Sequence, residues 1–203
     1  MIDPKVFEMF REIGRDMYVH GLISSHGGNV SVRYGDRIII KRRGAMLGRL
    51  KPHDLIETGL EKNDSGVALA STELIVHRAI YKATPALAVV HAHPRHAIAL
   101  SLSREEIVPI DNEGSYLLKK VPVVEEEFAS GTPQMAKKVS DALTAYKIVM
   151  LRGHGSFATG QTLDEAFQWT DAFEEACEII LYNRLYGEEM IEYRKRVESY
   201  TEW

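Results

Sequence analysis

The chain has 203 residues, of which 45% are hydrophobic and 27% charged, a composition that fits one globular domain with a sizeable core. Its formal charge of −4 comes from 25 basic and 29 acidic side chains without a long block of one sign, which argues against a nucleic-acid partner. The single cysteine, Cys177, allows no intramolecular disulfide, and no apolar run approaches the roughly 18 residues of a membrane span, so we expect a cytoplasmic protein without a membrane partner.

The first half of the chain predicts helices around a hairpin. Asp3 and Pro4 form a helix start, and apolar residues then recur at helical spacing until Gly21. Charges throughout this segment exclude the hydrophobic region of a signal peptide. The runs "NVSVRY" and "RIIIK", separated by Gly-Asp, predict a β-hairpin, and "GVALA" predicts a short strand. A helix capped by a hydroxyl residue is predicted over 71–83, then a strand over "ALAVVHAH" and a helix over 96–103.

The second half continues the alternation. The runs "KVPVVEE" and "KIVMLRGHG" predict strands, with a helix that begins at Thr132 between them. Thr162 and Glu165 form a capping box for a long helix that ends near Tyr186. Strands and helices therefore interleave along the chain, which predicts an α/β fold with a mixed sheet and helices on both of its faces.

Three histidines lie within six positions in the segment "VVHAHPRHAIAL". Side chains repeat with period 2 along a strand, so His91 and His93 share one face and could hold a divalent metal. Taken alone, two half-buried histidines without a metal are the more ordinary explanation of this pattern. His154 follows another strand, between two glycines that let the backbone approach closely, and the three histidines together favour a metal site.

Other metal folds fit less well. A cupin is an all-β fold, which the predicted helices contradict. A metallo-β-lactamase-type hydrolase requires His-x-His-x-Asp-His, but Arg95 stands at the aspartate position and would repel a second metal. His96 should begin a helix and point elsewhere.

Three segments offer groups that bind phosphate. Backbone N–H groups, guanidinium groups and a helix N-terminus all favour anions. The candidate contacts are Gly27, Gly28 and Asn29 in the first segment, Arg42, Arg43 and Gly44 in the second, and Ser71 and Thr72 in the third. Each segment alone also fits a simpler role as a turn, a solvated arginine pair or a helix cap.

Glu73 follows the two hydroxyl residues. A carboxylate in the first turn of a helix ordinarily just favours the helix dipole. Beside a metal, the same carboxylate can serve as a general acid or base.

Three blocks of sequence resemble the class II aldolase/adducin family, most closely its L-fuculose-1-phosphate aldolase branch. The blocks are "GLISSHGGNVSVR", "LASTELIVHRAIYKATPALAVVHAHPRHAIALS" and "VMLRGHGSFATG". The resemblance covers roughly residues 5–187. We expect a single domain over 1–203, in which about 188–203 form a C-terminal tail. The middle block, with Ser-Thr-Glu, a helix and His-x-His-Pro, is its most specific part.

The resemblance implies a three-layer α/β/α domain with a central mixed, largely antiparallel sheet. It implies one zinc ion per subunit held by His91, His93 and His154, with Glu73 alternately near the metal and acting as base. It further implies a homotetramer with active sites at subunit interfaces. The substrate would be a phosphorylated ketose, L-fuculose 1-phosphate by default, cleaved to dihydroxyacetone phosphate and L-lactaldehyde. The implied phosphate pocket comprises Gly28, Asn29, Gly44, Ser71 and Thr72, with Arg43 at the position of the family's serine.

The chain departs from the family pattern at two places. Lys41-Arg42-Arg43-Gly44 replaces the usual Thr-Pro-Ser-Gly, so that Arg43 either binds phosphate more strongly or alters the substrate. The branch's tyrosine that protonates the aldehyde oxygen has no match in "EEEFAS", and Tyr116 lies nearby. The tail could close over the site or fray.

Other functions remain open at this point. Pentulose-phosphate 4-epimerases usually carry aspartate in the Glu73 position, so Glu73 favours an aldolase. The two departures keep a methylthioribulose-1-phosphate dehydratase open. A non-catalytic, adducin-like scaffold has lost its zinc ligands, whereas this chain retains all three histidines.

Overall fold

The computed structural model describes residues 2–127 and 131–187, so the predicted tail at 188–203 lies outside the described residues. Within the described ranges, helices and strands interleave as expected, with further elements that the sequence did not predict at Leu55–Gly59, Glu106–Ile107, Asn112–Leu118 and Gly155–Gly160. The helices are α1 (Pro4–Val19), α2 (Leu74–Ala83), α3 (Arg95–Ser101), α4 (Asn112–Leu118), α5 (Pro133–Ala142) and α6 (Leu163–Tyr186). The strands are β1 (Asn29–Tyr34), β2 (Arg37–Lys41), β3 (Leu55–Gly59), β4 (Ala88–Ala92), β5 (Glu106–Ile107), β6 (Val121–Val124), β7 (Ile148–Leu151) and β8 (Gly155–Gly160).

All eight strands form one sheet in the order β3-β2-β1-β4-β8-β7-β6-β5. Only the β6–β7 pair is parallel in this sheet of described residues, and the other neighbouring pairs are antiparallel. The expectation of a mixed, largely antiparallel sheet is therefore confirmed. Strand β4 lies at its centre between β1 and β8, which brings residues from distant parts of the sequence beside the histidine segment.

Two apolar cores cover the two faces of the sheet, because side chains on a strand alternate between faces. Val90 of β4 packs on one face with Phe10 of α1 and Phe173 of α6. Val89 packs on the opposite face with Ile80 of α2 and Val139 of α5. This arrangement confirms the expected helix–sheet–helix layers. None of the described helices is both long and apolar enough to span a membrane.

The long helix α6 begins and ends where the sequence predicts. Thr162 accepts a 3.1 Å hydrogen bond from the N–H of Glu165, and Gly187 ends the helix in a left-handed conformation with φ 66°. The Glu165 carboxylate accepts from the N–H of Gln161 at 2.7 Å, one residue before the cap. The capping box is thus only half formed.

Two local predictions were wrong. The segment "GVALA" is not a strand, because residues Ser65–Ala68 form a 3-10 helix whose turn is capped by Asp64 through a 3.0 Å bond from the Gly66 N–H. Helix α2 starts later than expected, with Glu73 as its N-cap and no capping bond from a side chain. Ser71 instead accepts from the N–H of Glu73 at 3.3 Å, so the hydroxyl precedes the helix rather than capping it.

Candidate active site

His91 occupies the centre of the sheet. It lies opposite Asn29 on β1 and opposite Phe157 on β8. Its ring stacks on that of Phe157 with centroids 4.1 Å apart, and its Nδ1–H donates to the carbonyl oxygen of Ser156 at 2.9 Å. This bond fixes the tautomer, so the lone pair of the neutral ring lies on Nε2 and points away from the backbone.

His93 and His154 bring their rings beside that of His91. Centroid separations are 4.8 Å for His91–His93, 5.1 Å for His91–His154 and 5.0 Å for His93–His154. His154 lies in the tight turn between β7 and β8, where Gly153 adopts a φ of 68°. A side chain at Gly155 would meet the Ala92 carbonyl oxygen at 2.2 Å, so only glycine allows the turn to approach β4 this closely.

Glu73 lies against the three rings although it comes from the start of α2. Only 4% of the residue is exposed. Its Oε2 is 3.1 Å from His91 Nε2, and its Oε1 is 3.8 Å from His154 Nε2. Burial raises the pKa of Glu73 to about 7, an effect that the hydrogen bond from Asn29 and the charge of Lys41 oppose.

Burial also keeps the imidazoles neutral. It lowers the pKa of His91 well below its ordinary value, and the neighbouring rings of His93 and His154 lower it further. Burial likewise lowers the pKa of His93 to about 4 and that of His154 below its ordinary value. All three rings therefore offer lone pairs at neutral pH, the state in which histidine binds a metal.

The donor set fits a divalent metal ion. One ring nitrogen from each of His91, His93 and His154 lies within 4.8 Å of the other two. Among the described residues, Glu73 Oε1 and His154 Nδ1 are buried without a hydrogen-bond partner, which a metal or a substrate would relieve. Three neutral imidazoles with an adjacent carboxylate match the ligand chemistry of catalytic zinc.

A series of buried hydrogen bonds holds the Glu73 carboxylate. Asn29 donates from Nδ2 to Glu73 Oε2 at 2.7 Å, and its Oδ1 accepts from His77 Nε2 at 2.5 Å. His77 Nδ1 in turn accepts from the Ser31 hydroxyl at 2.6 Å, and Tyr81 donates to the Ser31 carbonyl at 2.9 Å. Sequence analysis missed His77 in this role; its spacing of four residues from Glu73 on one helix face was the available signal.

A polar cavity of about 220 Å³ adjoins the histidines. It brings together the six residues of the phosphate pocket that the family resemblance implies. They are Gly28, Asn29, Arg43, Gly44, Ser71 and Thr72, and the cavity is also lined by His26, Gly27, Lys41, Glu73, His93 and His154. Arg42 is directed elsewhere, since its Nη2 lies 2.7 Å from Asp54 Oδ1. Sequence analysis missed Lys41 and His26 as lining residues.

The remaining candidates lie outside this cavity. His96 pairs with Glu174 through a 3.0 Å contact of Nδ1, as expected for a residue without a ligand role. Tyr116 lies on α4 and lines a separate cavity with Trp169. The segment "EEEFAS", in which the branch's tyrosine has no match, includes residues 128–130, which lie outside the described residues.

Comparison with known proteins agrees with this geometry. The sequence profile of the class II aldolase and adducin N-terminal domain matches residues 8–181. An L-fuculose phosphate aldolase from Methanocaldococcus jannaschii is 30% identical over 88% of this chain and 97% of its own length. A 3-oxo-tetronate 4-phosphate decarboxylase from Haemophilus influenzae is also 30% identical, over 88% of each chain. The crystal structure of L-fuculose-1-phosphate aldolase from Thermus thermophilus superposes with a TM-score of 0.87 at 40% identity, covering 93% of this chain and 100% of that one.

Proposed function

Because the chain belongs to the class II aldolase and adducin family, we propose that it is a zinc-dependent aldolase that reversibly cleaves a ketose 1-phosphate. L-Fuculose 1-phosphate is the first substrate to test, with dihydroxyacetone phosphate and L-lactaldehyde as its products. One observation carries the proposal. Glu73 and three neutral imidazoles lie together beside a cavity that Glu73, His93 and His154 line, and the other lining residues offer N–H, hydroxyl and guanidinium donors.

The donor-rich walls are suited to the substrate's phosphate. Gly28 and Gly44 expose backbone at the cavity, and Ser71 and Thr72 contribute hydroxyls just before α2. Arg43 adds a guanidinium group, which can contact two phosphate oxygens at once. Binding the phosphate here would place the sugar carbons between these walls and the histidines, next to Glu73.

In this proposal the histidines bind the metal and Glu73 transfers a proton. His91, His93 and His154 would hold the zinc ion, which when bound stabilises negative charge on the substrate oxygens as the bond breaks. Cleavage between C3 and C4 would leave the bonding electron pair on C3, and the C4 hydroxyl would give its proton to water in the cavity, from which Glu73 regains its own proton at the end of the cycle. Glu73 Oε1, which has no hydrogen-bond partner among the described residues, would then deliver a proton to C3, and in the synthetic direction it would remove that proton.

The direct test is release of dihydroxyacetone phosphate from L-fuculose 1-phosphate, with and without a zinc chelator. Release that the chelator abolishes and added zinc restores supports the proposal. Absence of release from protein that holds one zinc ion per subunit would refute this substrate. Release that continues after complete removal of zinc would refute the metal's role.

A second activity is tested because the decarboxylase from Haemophilus influenzae is as similar to this chain as the aldolase, with 30% identity over 88% of this chain in both cases. The same preparation should therefore be offered a 3-oxo acid 4-phosphate, a pentulose 5-phosphate and methylthioribulose 1-phosphate, with direct identification of the products. Carbon dioxide, an epimer or a dehydrated ketone would each identify a different reaction at the same cavity. A protein that folds normally but binds no metal would instead favour a scaffold.

We also propose that the active protein is a homotetramer with sites at subunit interfaces. Val19 and Leu102 are apolar residues with 68% and 66% of their surface exposed. Exposed apolar side chains of this kind support a subunit interface. Sedimentation of a monomer at micromolar concentration would refute this assembly.

A further inference from the structure

Lys41 places a buried ammonium group at the anion-binding cavity. Only 4% of the residue is exposed, although it is the last residue of strand β2. Its Nζ donates to the carbonyl oxygens of His26 at 3.1 Å and Ala45 at 3.0 Å. An ammonium group has three N–H donors, so two carbonyl partners leave one donor for a ligand.

The charge on Lys41 lacks a direct counterion within the described part of the chain. Burial lowers the pKa of Lys41 to about 8, and the more distant charges of Glu73 and Asp54 offset this only in part. Asp54 is already paired with Arg42 at 2.7 Å. A buried cation without a paired anion is costly, and an anionic ligand beside it removes that cost.

The neighbouring groups indicate which anion fits. Lys41 and Arg43 both line the cavity and carry two positive charges, while Arg42 between them turns to the opposite side. Ser71 and Thr72 add neutral donors. Two cations with several neutral donors in a cavity of about 220 Å³ match a compact dianion, such as a phosphate monoester, better than a single carboxylate.

We propose that Lys41 is a phosphate-binding residue of this site, whose ammonium group contacts the substrate's phosphate and balances its charge together with Arg43. The inference rests on the proposed function and deepens it, because it adds Lys41 as a second charged contact to the phosphate of that substrate. It also gives the replacement of the family's Thr-Pro-Ser-Gly by Lys-Arg-Arg-Gly a physical meaning. Hydroxyl contacts to phosphate are exchanged for charged ones.

The test measures the dissociation constant of inorganic phosphate by calorimetry at constant ionic strength, for the wild type and three variants. Lys41→Met removes both the charge and the hydrogen bonds to the two carbonyl oxygens. Lys41→Gln keeps amide donors for those carbonyls but removes the charge. Lys62→Met is the matched control, because Lys62 is exposed and does not line the cavity. Thermal melting without phosphate reports whether each variant folds.

Both Lys41 variants should weaken phosphate binding at least about tenfold, because hydrogen bonds to charged groups are the strong ones. The Lys62 variant should match the wild type. Phosphate binding by Lys41→Gln within twofold of the wild type would overturn the inference, since Lys41 would then act only by holding the carbonyls. If Lys41→Met does not fold, the Gln variant decides alone.

The outcome is separable from that of the proposed function. Wild-type protein that releases dihydroxyacetone phosphate but binds phosphate independently of Lys41 would overturn this inference and leave the aldolase standing. Phosphate binding that depends on Lys41, in protein that cleaves no ketose 1-phosphate, would support the inference and refute the aldolase.

Discussion

Asn29 donates a 2.7 Å hydrogen bond from its amide nitrogen to Oε2 of Glu73, within the buried centre of the site. The orientation of this amide is fixed, because its oxygen accepts from His77 Nε2 at 2.5 Å. The bond occupies Oε2, which also lies 3.1 Å from His91 Nε2, and it leaves Oε1 without a hydrogen-bond partner among the described residues, 3.8 Å from His154 Nε2. Asn29 therefore decides which oxygen of Glu73 is available for proton transfer.

Replacing Asn29 by alanine should impair both folding stability and turnover. The buried Glu73 Oε2 and His77 Nε2 would lose their partner, which costs about 1–3 kcal/mol in the free energy of unfolding. Turnover should fall by more than the remaining folded fraction explains, because Glu73 would no longer be held in place. Urea unfolding and steady-state kinetics measure the two effects. Asn63→Ala is the control, since Asn63 is exposed and its side chain accepts a hydrogen bond from Arg78 at the surface. Full activity in Asn29→Ala would contradict this role.

Glu73→Gln should lower the turnover of the ketose 1-phosphate by about 10²–10⁴-fold, the usual contribution of a general acid or base. Glutamine preserves size but cannot carry the proton. Bound metal should be retained, because the three histidines remain. Turnover and metal content are measured on the same preparation, with Glu61→Gln as the exposed control. Activity of Glu73→Gln within about threefold of the wild type would contradict the proposed base role.

Loss of any one of the three clustered histidines should remove the metal. His93→Ala and His154→Ala should each reduce bound zinc well below one ion per subunit and abolish its stabilising effect on melting, because a ligand that binds only the native state raises its stability. His53→Ala is the control, since the His53 side chain is 68% exposed. Elemental analysis and melting with and without added zinc provide the measurements. Normal zinc content in His154→Ala would show that the cluster is not the metal site.

Local signals explain which elements could be predicted. The hairpin of β1 and β2 follows from a Gly-Asp pair between alternating runs, and α6 follows from Thr162 and Gly187. Strand β8 was missed because "GSFATG" has few strand-favouring residues; it pairs with the adjacent strand β7 and with β4, which is far away in the sequence. Long-range pairing of this kind overrides local propensity.

In the candidate site too, contacts set by local sequence could be predicted and contacts set by long-range pairing could not. The proximity of His91 and His93 could be predicted, because side chains two residues apart on a strand lie on the same face. That of Asn29 and His77 could not, because it depends on the pairing of β1 with β4 and on the packing of α2. The roles of Lys41 and Arg42 could have been separated in advance. Neighbouring residues along a strand point to opposite faces, and here Lys41 lines the cavity while Arg42 pairs with Asp54.

Acid should weaken the link between β2 and β3 through Asp64. Its carboxylate accepts from the Thr58 hydroxyl at 2.7 Å and from Arg37 Nη1 at 2.8 Å, and these two bonds lower the pKa of Asp64 to about 2. A carboxyl group whose pKa is depressed by folding stabilises the native state above its ordinary pKa of 3.8, and this contribution is lost as pH falls towards 2.

Asp64→Asn should therefore be less stable than the wild type at pH 6, and the difference in free energy of unfolding should shrink as pH falls from 4 towards 2. Partial exposure of the pair screens the effect, so the difference is measured by urea unfolding at low salt rather than from melting alone. Asp141→Asn is the control, because Asp141 forms a solvent-exposed pair with Lys137 at 2.6 Å and has no burial to strengthen it. A stability difference for Asp64→Asn that stays constant from pH 6 to pH 2.5 would show that the hydrogen-bonding geometry of the side chain, and not its charge, stabilises this turn.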